Sequence, residues 1–412
     1  MTQTINKAKL YAQILNPASR ANPYPLYAQL RETPVSRQED GTYVVSTYKE
    51  ISALLHDPRI SSDERKSTHG AGSLVASAKL VPEGQESHPP FIFLDPPEHD
   101  RLRRLVMHQF TPERIEGMRP QVVQLVNRLL EEQSDRAQLD IVDHLAYPLP
   151  VTVICHLLGV PREDEPRFHA WATILARGLD PAQSMTEEEI QQAGQAVAQL
   201  GEYMDGLIAE RREHPRDDLL SGLAVGSDPA GQMSERDLIV TMMLLLIAGH
   251  ETTVNLITNG MLTLLRYPEH LARLREQPEY VIDVIEELLR FEPPVHFRTR
   301  TTLTDIDIAG VTIPKGATVA LMLASGSRDP ARFDHPDIFD PGRPDNEHFG
   351  FGGGIHFCVG APLARVEAQE ALRIMARRLK NPRLVTDPPP YRDNASLRGP
   401  KHLLVAFDAL ER

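Results

Sequence analysis

The pattern of apolar and polar positions predicts one long, buried helix near the middle of the chain. Ser234 is a helix N-cap residue, and helical composition continues from there to Tyr267, which Pro268 follows. This stretch of about 34 residues corresponds to roughly 50 Å at 1.5 Å per residue. Its first half is apolar on all sides, so the helix is expected to lie in the interior of the protein.

Shorter helices and strands are predicted on both sides of the long helix. Cap and turn residues mark their ends, such as Thr111-Pro112 before one helix and Gly159 after another. Asp40-Gly41 between two short apolar runs is a hairpin signal. The predicted helices are 49–56, 111–132, 141–158, 162–178, 187–212 and 280–291, and the predicted strands are 35–37, 43–46, 299–303, 306–308, 311–313 and 318–323. The pattern is mainly α with small β-sheets.

The same pattern predicts a single domain. From 61 to 90 the periodicity is lost among Ser, Gly, His and Pro, and a loop of that length in a compact chain is either functional or disordered. No internal repeat and no long linker separates the other elements. We therefore expect one domain over residues 25–412, preceded by an N-terminal extension of residues 1–24.

Composition and charge exclude several classes of protein. The 44 basic and 57 acidic residues give a net charge of −13, which argues against nucleic acid or an anionic membrane surface as the main partner. The two cysteines, Cys155 and Cys358, offer no disulfide framework and fit a reducing cytosol. Residues 1–7 lack the apolar core of a signal peptide, and the longest apolar run, 238–248, is far shorter than the ~20 residues of a membrane span. A soluble, cytoplasmic protein is expected.

The candidate chemistry centres on Cys358. It follows the glycine-rich segment Phe351 to His356 and is itself followed by Gly360. Glycines allow positive φ and close backbone approach, so this loop can fold tightly around a ligand. A helix with Pro362 in its first turn begins directly afterwards, and its free N–H groups and macrodipole favour a thiolate over a thiol.

Several uses of such a cysteine remain open. A buried, inert thiol is the usual fate of a lone cysteine. A nucleophile would need a base. His356 lies only two residues from Cys358, and a side chain at that spacing seldom turns back onto its neighbour. A zinc site would need four ligands, although the chain has only two cysteines. A single thiolate is sufficient as the axial ligand of a haem iron.

Two further segments carry residues that a purely structural helix has little reason to accept. His99 and Arg103 are spaced i, i+4 and share one helix face, which is either an ordinary solvated basic face or a site for an anion. Gly249 and Glu251 lie in the middle of the long apolar helix. The glycine costs ~1 kcal/mol relative to alanine, and the carboxylate places a charge in a buried element.

These segments together resemble the cytochrome P450 monooxygenases. Phe351 to Gly360 matches the haem-ligand loop of that family, Phe-Gly-x-Gly-x-His-x-Cys-x-Gly, at every fixed position. The resemblance extends from about residue 25 to the C-terminus. The other matching segments, in chain order, are Asp95-Pro-Pro-Glu-His99 with Arg103, Ala248-Gly-His-Glu-Thr-Thr253, Glu287-Leu-Leu-Arg290 and Arg300.

The resemblance implies a fold and a role for each matching residue. The haem would lie between the long central helix and the Cys-ligand loop, with Cys358 as the ligand of its iron. An acid–alcohol pair, Glu251 and Thr252, would deliver protons for the activation of O2. The residues implied to contact the haem are His99, Arg103, Ala248, Gly249, Arg300, Phe351, His356, Cys358 and Gly360, of which His99, Arg103, Arg300 and His356 would bind its propionates.

The resemblance also implies the reaction. A haem-thiolate monooxygenase inserts one oxygen atom from O2, by hydroxylation or epoxidation, into an apolar small molecule such as a steroid, terpenoid, macrolide or other polyketide, or fatty acid. The cofactor would be haem b, and electrons would come from NAD(P)H through a ferredoxin reductase and a ferredoxin to a monomeric enzyme. A peroxide-driven peroxygenase is an alternative, although such members commonly replace the acid–alcohol pair. A non-catalytic haem-binding sensor is another, and it would need an output domain.

Two surfaces follow from this alignment. The expected substrate pocket lies under the 61–90 loop, with His296 as the group that orients the substrate. Its expected lining is Leu74, Val75, Leu80, Val81, Met243, Leu244, Val295, His296, Phe297 and Leu397. A basic patch on the Cys358 side is expected to dock a small acidic iron–sulfur protein despite the net charge, unless these are ordinary solvated helix faces. It comprises Arg101, Arg103, Arg104, His108, Arg365, Arg373, Arg377 and Arg378.

Overall fold

The computed structural model of the chain describes residues 7–68, 89–180, 185–225 and 232–411. The α-helices of these residues are α1 (Leu10–Leu15), α2 (Tyr24–Arg31), α3 (Tyr48–Leu55), α4 (Glu98–Met107), α5 (Pro112–Gly117), α6 (Arg119–Glu131), α7 (Pro148–Leu158), α8 (Glu165–Arg177), α9 (Glu187–Glu213), α10 (Leu219–Val225), α11 (Glu235–Arg266), α12 (Pro268–Glu276), α13 (Val281–Phe291), α14 (Leu323–Gly326) and α15 (Ala361–Arg378). The strands are β1 (Val35–Arg37), β2 (Tyr43–Val45), β3 (Ile60–Ser61), β4 (Gln138–Asp140), β5 (Arg298–Thr302), β6 (Ile306–Ile308), β7 (Val311–Ile313), β8 (Thr318–Leu321), β9 (Leu379–Lys380), β10 (Arg383–Leu384), β11 (Leu404–Ala406) and β12 (Ala409–Leu410).

The predicted long helix is α11, and the other helices pack around it. The Ser234 hydroxyl caps it by accepting a hydrogen bond from the Asp237 amide at 3.0 Å. Helices α7, α8, α13 and α15 pack directly against it, and most of its side chains are buried in the main core. By length and composition alone α11 could cross a membrane, but 72% of its apolar window is buried inside the protein. It is therefore the core helix that the sequence predicted.

Two predicted helices are each broken in the structure. Residues 111–132 form α5 and α6 with Met118 between them, because Gly117 is a poor helix former and Pro120 occupies the first turn of a new helix. Residues 141–158 form a π-helical turn, Val142–Ala146, and then α7. Pro148 has no N–H to donate to the preceding turn, so one continuous α-helical hydrogen-bond ladder cannot form there.

Small sheets flank the helical body, and the largest has the strand order β1-β2-β8-β5-β3. The predicted hairpin joins β1 to β2, with Gly41 at φ 86° in the turn. Strand β5 is antiparallel to β8 along its length, with Arg298 opposite Leu321 and Arg300 opposite Val319. Because side chains alternate along a strand, Arg298 and Arg300 lie on the same face of this sheet.

A buried ion pair ties α13 to the segment that leads into the cysteine loop. Glu287 and Arg290 are fully buried and their side chains are 2.6 Å apart. The Arg290 guanidinium also donates to the carbonyl oxygens of Ser327, Pro336 and Ile338 at 3.0, 2.8 and 3.1 Å. The predicted Glu-x-x-Arg motif is thus the anchor for this irregular segment.

The N-terminal extension is partly packed into the body of the protein. Leu10, Tyr11 and Ile14 of α1 are buried in a second apolar cluster. The Tyr11 ring contacts the Phe297 ring edge-on, at a centroid distance of 5.8 Å. The boundary between residues 24 and 25 stays a prediction.

Candidate active site

The Cys358 loop is a tight turn that presents one thiol at a helix start. Gly352 and Gly354 have φ values of 72° and 63°, in the region that favours glycine. A Cβ at Gly354 would overlap the carbonyl oxygen of Leu55, so this position also requires a close approach of two backbones. The Cys358 amide donates to the Phe351 carbonyl at 3.0 Å, which closes the loop.

The surroundings of the Cys358 thiol act on it in opposite directions. Burial raises its pKa, whereas the amides of Gly360 and Ala361 and the guanidinium of Arg103 lower it. Donors aimed at the sulfur stabilise an anion, as a metal-binding thiolate needs. Cys155 differs, because it is completely buried on α7 and burial raises its pKa strongly. It packs in the core, as the sequence predicted.

Histidines and arginines from three segments converge beside this loop. The rings of His99 and His356 lie 4.3 Å apart between centroids. Burial, together with the nearby charge of Arg300, lowers the pKa of His356 to about 2. Burial likewise lowers the pKa of Arg300, to about 10. Arg103 and Arg300 both act on His356, and their positive charges need an anion to balance them.

Hydrogen bonds within the described residues do not satisfy this cluster. His99 uses Nδ1 on Asp100 at 2.8 Å, while its buried Nε2 has no hydrogen-bond partner among the described residues. Arg103 donates to the Phe357 carbonyl at 2.6 Å, and Arg300 donates to the carbonyl of its own neighbour, Thr299, at 2.8 Å. The cluster therefore retains donors that fit the carboxylates of an anionic ligand.

On the central helix, α11 opens to solvent at one point. Ala248 is exposed, and Gly249 and Thr252 are only partly buried, although the residues on either side are almost all buried. A Cβ at Gly249 would lie 3.3 Å from Ile154 Cδ1, so a larger residue would press on α7. The Thr252 hydroxyl donates to the Ala248 carbonyl at 2.6 Å. These residues form the part of α11 that a ligand can reach.

Glu251 is buried one residue before this threonine and has a partner that sequence reasoning missed. Its Oε1 pairs with Arg392, which also donates to Asn255 Oδ1 at 2.7 Å. Its Oε2 has no hydrogen-bond partner among the described residues. Burial raises the pKa of this carboxyl, and Arg392 opposes that effect. A buried charge signals that a partner must exist, but Arg392 lies 141 residues away and belongs to no motif.

The residues predicted to line the substrate pocket fall into three groups. Leu74, Val75, Leu80 and Val81 lie outside the described residues. Met243 and Leu244 are buried on the first half of α11. Val295 and Leu397 form an isolated antiparallel bridge, which places these two residues side by side, and their role in the pocket stays a prediction.

The predicted role of His296 as the polar group of that pocket stays a prediction, and the structure gives its ring other neighbours, although its Nε2 has no hydrogen-bond partner among the described residues. His296 is buried in the N-terminal region, where its Nδ1 lies 2.7 Å from the Tyr27 hydroxyl and its ring packs on Tyr24 and Tyr27. Phe297 belongs to the same cluster and packs on Tyr11. Both side chains pack on the apolar surface of α1 and α2. The sequence pattern of residues 295–297 does not predict this contact.

A single thiol with stabilising donors, a cluster of basic side chains with unsatisfied donors and an opening in the core helix suit a haem with a thiolate ligand. The donor set suits the cofactor chemically, because one thiolate serves the iron and the basic groups serve two carboxylates. Comparison with known proteins agrees. The family model described as Cytochrome P450 matches residues 65–407.

Similar proteins cover nearly the whole chain. The cytochrome P450 monooxygenase PikC of Streptomyces venezuelae is 40% identical over 94% of this chain and 91% of its own length. The 6-deoxyerythronolide B hydroxylase of Saccharopolyspora erythraea is 38% identical over 93% and 96%. The crystal structure of ligand-free CYP164A2 from Mycobacterium smegmatis is 42% identical, covers 97% of this chain and 100% of that one, and superposes with a TM-score of 0.88.

The chain belongs to the cytochrome P450 family. It has the fold that the sequence predicted, and it is a haem-thiolate monooxygenase that acts on a small molecule with O2 and redox partners. The prediction of the family and of the reaction class is confirmed.

Proposed function

We propose that this enzyme is a monomeric cytoplasmic monooxygenase that binds haem b and hydroxylates or epoxidises an apolar small molecule. Its electrons would come from NAD(P)H through a ferredoxin reductase and a ferredoxin. The observation that carries the proposal is the exposed stretch at Ala248 and Thr252 on an otherwise buried helix, beside the acid Glu251. When bound, the haem supplies the activation of O2 and the transfer of one oxygen atom.

The residues of the cysteine side hold the cofactor in this proposal. Cys358 is the iron ligand, and His99, Arg103, Arg300 and His356 bind the two propionates. The unsatisfied Nε2 of His99 and the lone backbone contact of Arg300 support that role. An unpaired carboxylate in a largely dry site costs several kcal/mol, so these partners contribute to cofactor retention.

The residues of the α11 side move protons. The reaction consumes two protons and two electrons per O2. The Thr252 hydroxyl can donate in place of its bond to the Ala248 carbonyl. Glu251 can resupply it, because burial raises the pKa of this carboxyl and so favours the protonated form. Arg392 orients Glu251 through the ion pair.

Replacement of Thr252 by alanine is expected to uncouple the enzyme. Reductant and O2 should still be consumed, because electron entry does not need the hydroxyl. Two electrons and two protons would then leave as hydrogen peroxide, and product per reductant should fall about 10-fold or more. The measurement determines, in one reaction, how much product and peroxide form and how much NAD(P)H is consumed.

A matched control for this variant lies on the same helix. The Thr258 hydroxyl makes the same type of bond to the carbonyl four residues earlier, that of Val254, at 2.9 Å, but it is fully buried. Thr258→Ala should leave coupling unchanged. Tight coupling in Thr252→Ala, or equal uncoupling in both variants, would count against the proton path.

The basic patch proposed for the redox partner is smaller than the sequence indicated. Its half-buried or buried members are engaged within the protein: Arg101 pairs with Glu98, Arg365 with Glu286 and Arg373 with Glu370, while Arg103 donates to the Phe357 carbonyl and Arg378 to the Glu411 carbonyl. Arg104, His108 and Arg377 are exposed.

The cysteine loop adds apolar surface to the same side. Ile355 and Phe357 are 51% and 43% exposed, and Met107 at the end of α4 is 41% exposed. Exposed apolar side chains with nearby positive charge suit a small acidic iron–sulfur protein. This combination supports docking over Cys358.

Charge reversal at Arg104 or Arg377 should slow reduction by such a partner. The association rate should fall several-fold at low salt, because exposed charges act over about 10 Å at 0.1 M salt. Stopped-flow reduction of the ferric enzyme under carbon monoxide, followed by the complex that forms on reduction, measures it across a salt series. Reduction by dithionite should be unchanged, and so should both reactions in Arg37→Glu on β1. Rates indifferent to salt and to both reversals would remove this patch from the proposal.

A further inference from the structure

Arg298 is a positive charge beside the haem site that the propionate cluster does not use. It opens β5 and is partly buried. Strand β8 pairs with it on one side, whereas β3 pairs only with Thr301 and Thr302, so the other side of β5 has no strand partner at Arg298. No hydrogen bond or ion pair engages its guanidinium within the described parts of the chain.

The position of Arg298 lies between the predicted pocket wall and the haem edge. Three residues earlier, Val295 forms the bridge with Leu397. Two residues later, Arg300 faces the same side of the sheet, about 7 Å further along the strand. The charge of Arg298 lowers the pKa of Arg300, so the two guanidinium groups lie close together.

The acids nearest to Arg298 are bound to other groups. Asp180, Glu64 and Cys358 raise the pKa of Arg298, although burial lowers it overall. Asp180 accepts from the amides of Ala395 and Ser396, both at 2.9 Å. The Glu64 carboxylate accepts from the Thr299 hydroxyl, on the opposite face of β5. Neither acid lies within ion-pair distance of Arg298.

The charges of the proposed haem site balance without Arg298. Two propionates are matched by the guanidinium groups of Arg103 and Arg300, and the imidazoles add hydrogen bonds. Arg298 is therefore an excess positive charge at the boundary of an apolar pocket. A desolvated guanidinium is best stabilised by a planar, bidentate carboxylate.

We propose that Arg298 binds a carboxylate at one end of the substrate, so that the enzyme oxidises apolar carboxylic acids and not their neutral analogues. This rests on the proposed function, since it assigns a substrate class to the same site. The apolar body of the acid lies along Val295 and Leu397, and its charged end meets Arg298. Arg300 then binds a haem propionate, and Arg298 binds the substrate carboxylate.

The test compares straight-chain C10 to C16 fatty acids with their methyl esters. Binding to the haem-loaded enzyme is followed by the spin-state shift of the Soret band. The native enzyme should bind at least one acid about 10- to 100-fold more tightly than its ester, as expected for a hydrogen-bonded charged pair. Arg298→Gln should abolish that preference and leave ester affinity within about 2-fold. Arg298→Lys should retain part of it.

Arg300→Gln is the matched control on the same face of β5. It should reduce haem retention, whereas Arg298→Gln should keep full haem content and the thiolate band of the carbon monoxide complex. Equal affinity for acid and ester, binding of neither, or an acid preference that survives Arg298→Gln would overturn the proposal. Haem loss in Arg298→Gln would assign this residue to the cofactor. Absence of the thiolate band in the native enzyme would instead refute the proposed function.

Discussion

Replacement of Cys358 by alanine is expected to abolish both the thiolate signature and turnover. The reduced carbon monoxide complex of the native enzyme should show the red-shifted Soret band of thiolate ligation. The variant should lose that band completely, because the loop supplies one thiol and the donors of Gly360 and Ala361 are aimed at that sulfur. Product formation should fall to background, since the electron-donating ligand is absent.

Cys155 provides the control for this prediction. It is the other cysteine of the chain, and it is completely buried in the core on α7. Cys155→Ala should keep the band and the activity, with a small loss of stability from the removed sulfur. Retention of the band in Cys358→Ala, or its loss in Cys155→Ala, would show that the ligand is assigned to the wrong residue.

Breaking the Glu287–Arg290 pair should lower the free energy of unfolding more than breaking the Glu286–Arg365 pair. Both side chains are fully buried, and Glu287 also accepts from the Asp340 amide at 2.9 Å. Glu287→Ala would leave the Arg290 charge buried without its counter-ion. The free energy of unfolding should fall by about 3–5 kcal/mol, as measured by denaturant unfolding monitored by circular dichroism.

The adjacent residue separates burial from charge in that experiment. Glu286 forms an ion pair with Arg365 at 2.6 Å, but about a third of each side chain is exposed. Solvent screens a partly exposed pair, so its removal costs less than removal of a fully buried one. Glu286→Ala should therefore lower the free energy of unfolding by less than Glu287→Ala does. Equal destabilisation by the two variants would mean that the Glu287 network does not depend on its burial.

Most of the fold could be predicted from the sequence because its signals are local. The Ser234 cap, the apolar run after it and Pro268 determine where α11 begins and ends, and each acts within a turn of the helix. Asp40-Gly41 likewise predicted the hairpin of β1 and β2. The same rules missed the break at Met118, where Gly117 and Pro120 together outweigh an otherwise helical pattern.

The sequence also predicts the centre of the site, for a different reason. The Cys358 loop needs glycine at positive φ and a helix start within a few residues, so its chemistry is confined to one short segment. Gly249 and Glu251 stand out in the sequence because they interrupt the apolar pattern of the long helix. These local segments are sufficient to predict the family and the reaction class.

Only the tertiary structure decided which groups pair. Arg392 reaches Glu251 from the C-terminal part of the chain, and Tyr27 contacts His296 from the N-terminal part. An ion pair across the fold engages Arg365 of the predicted docking patch with Glu286. Periodicity and caps report on neighbours within a few residues. The free energy of a buried charge depends on partners that the whole fold brings close. A local sequence pattern does not identify those partners.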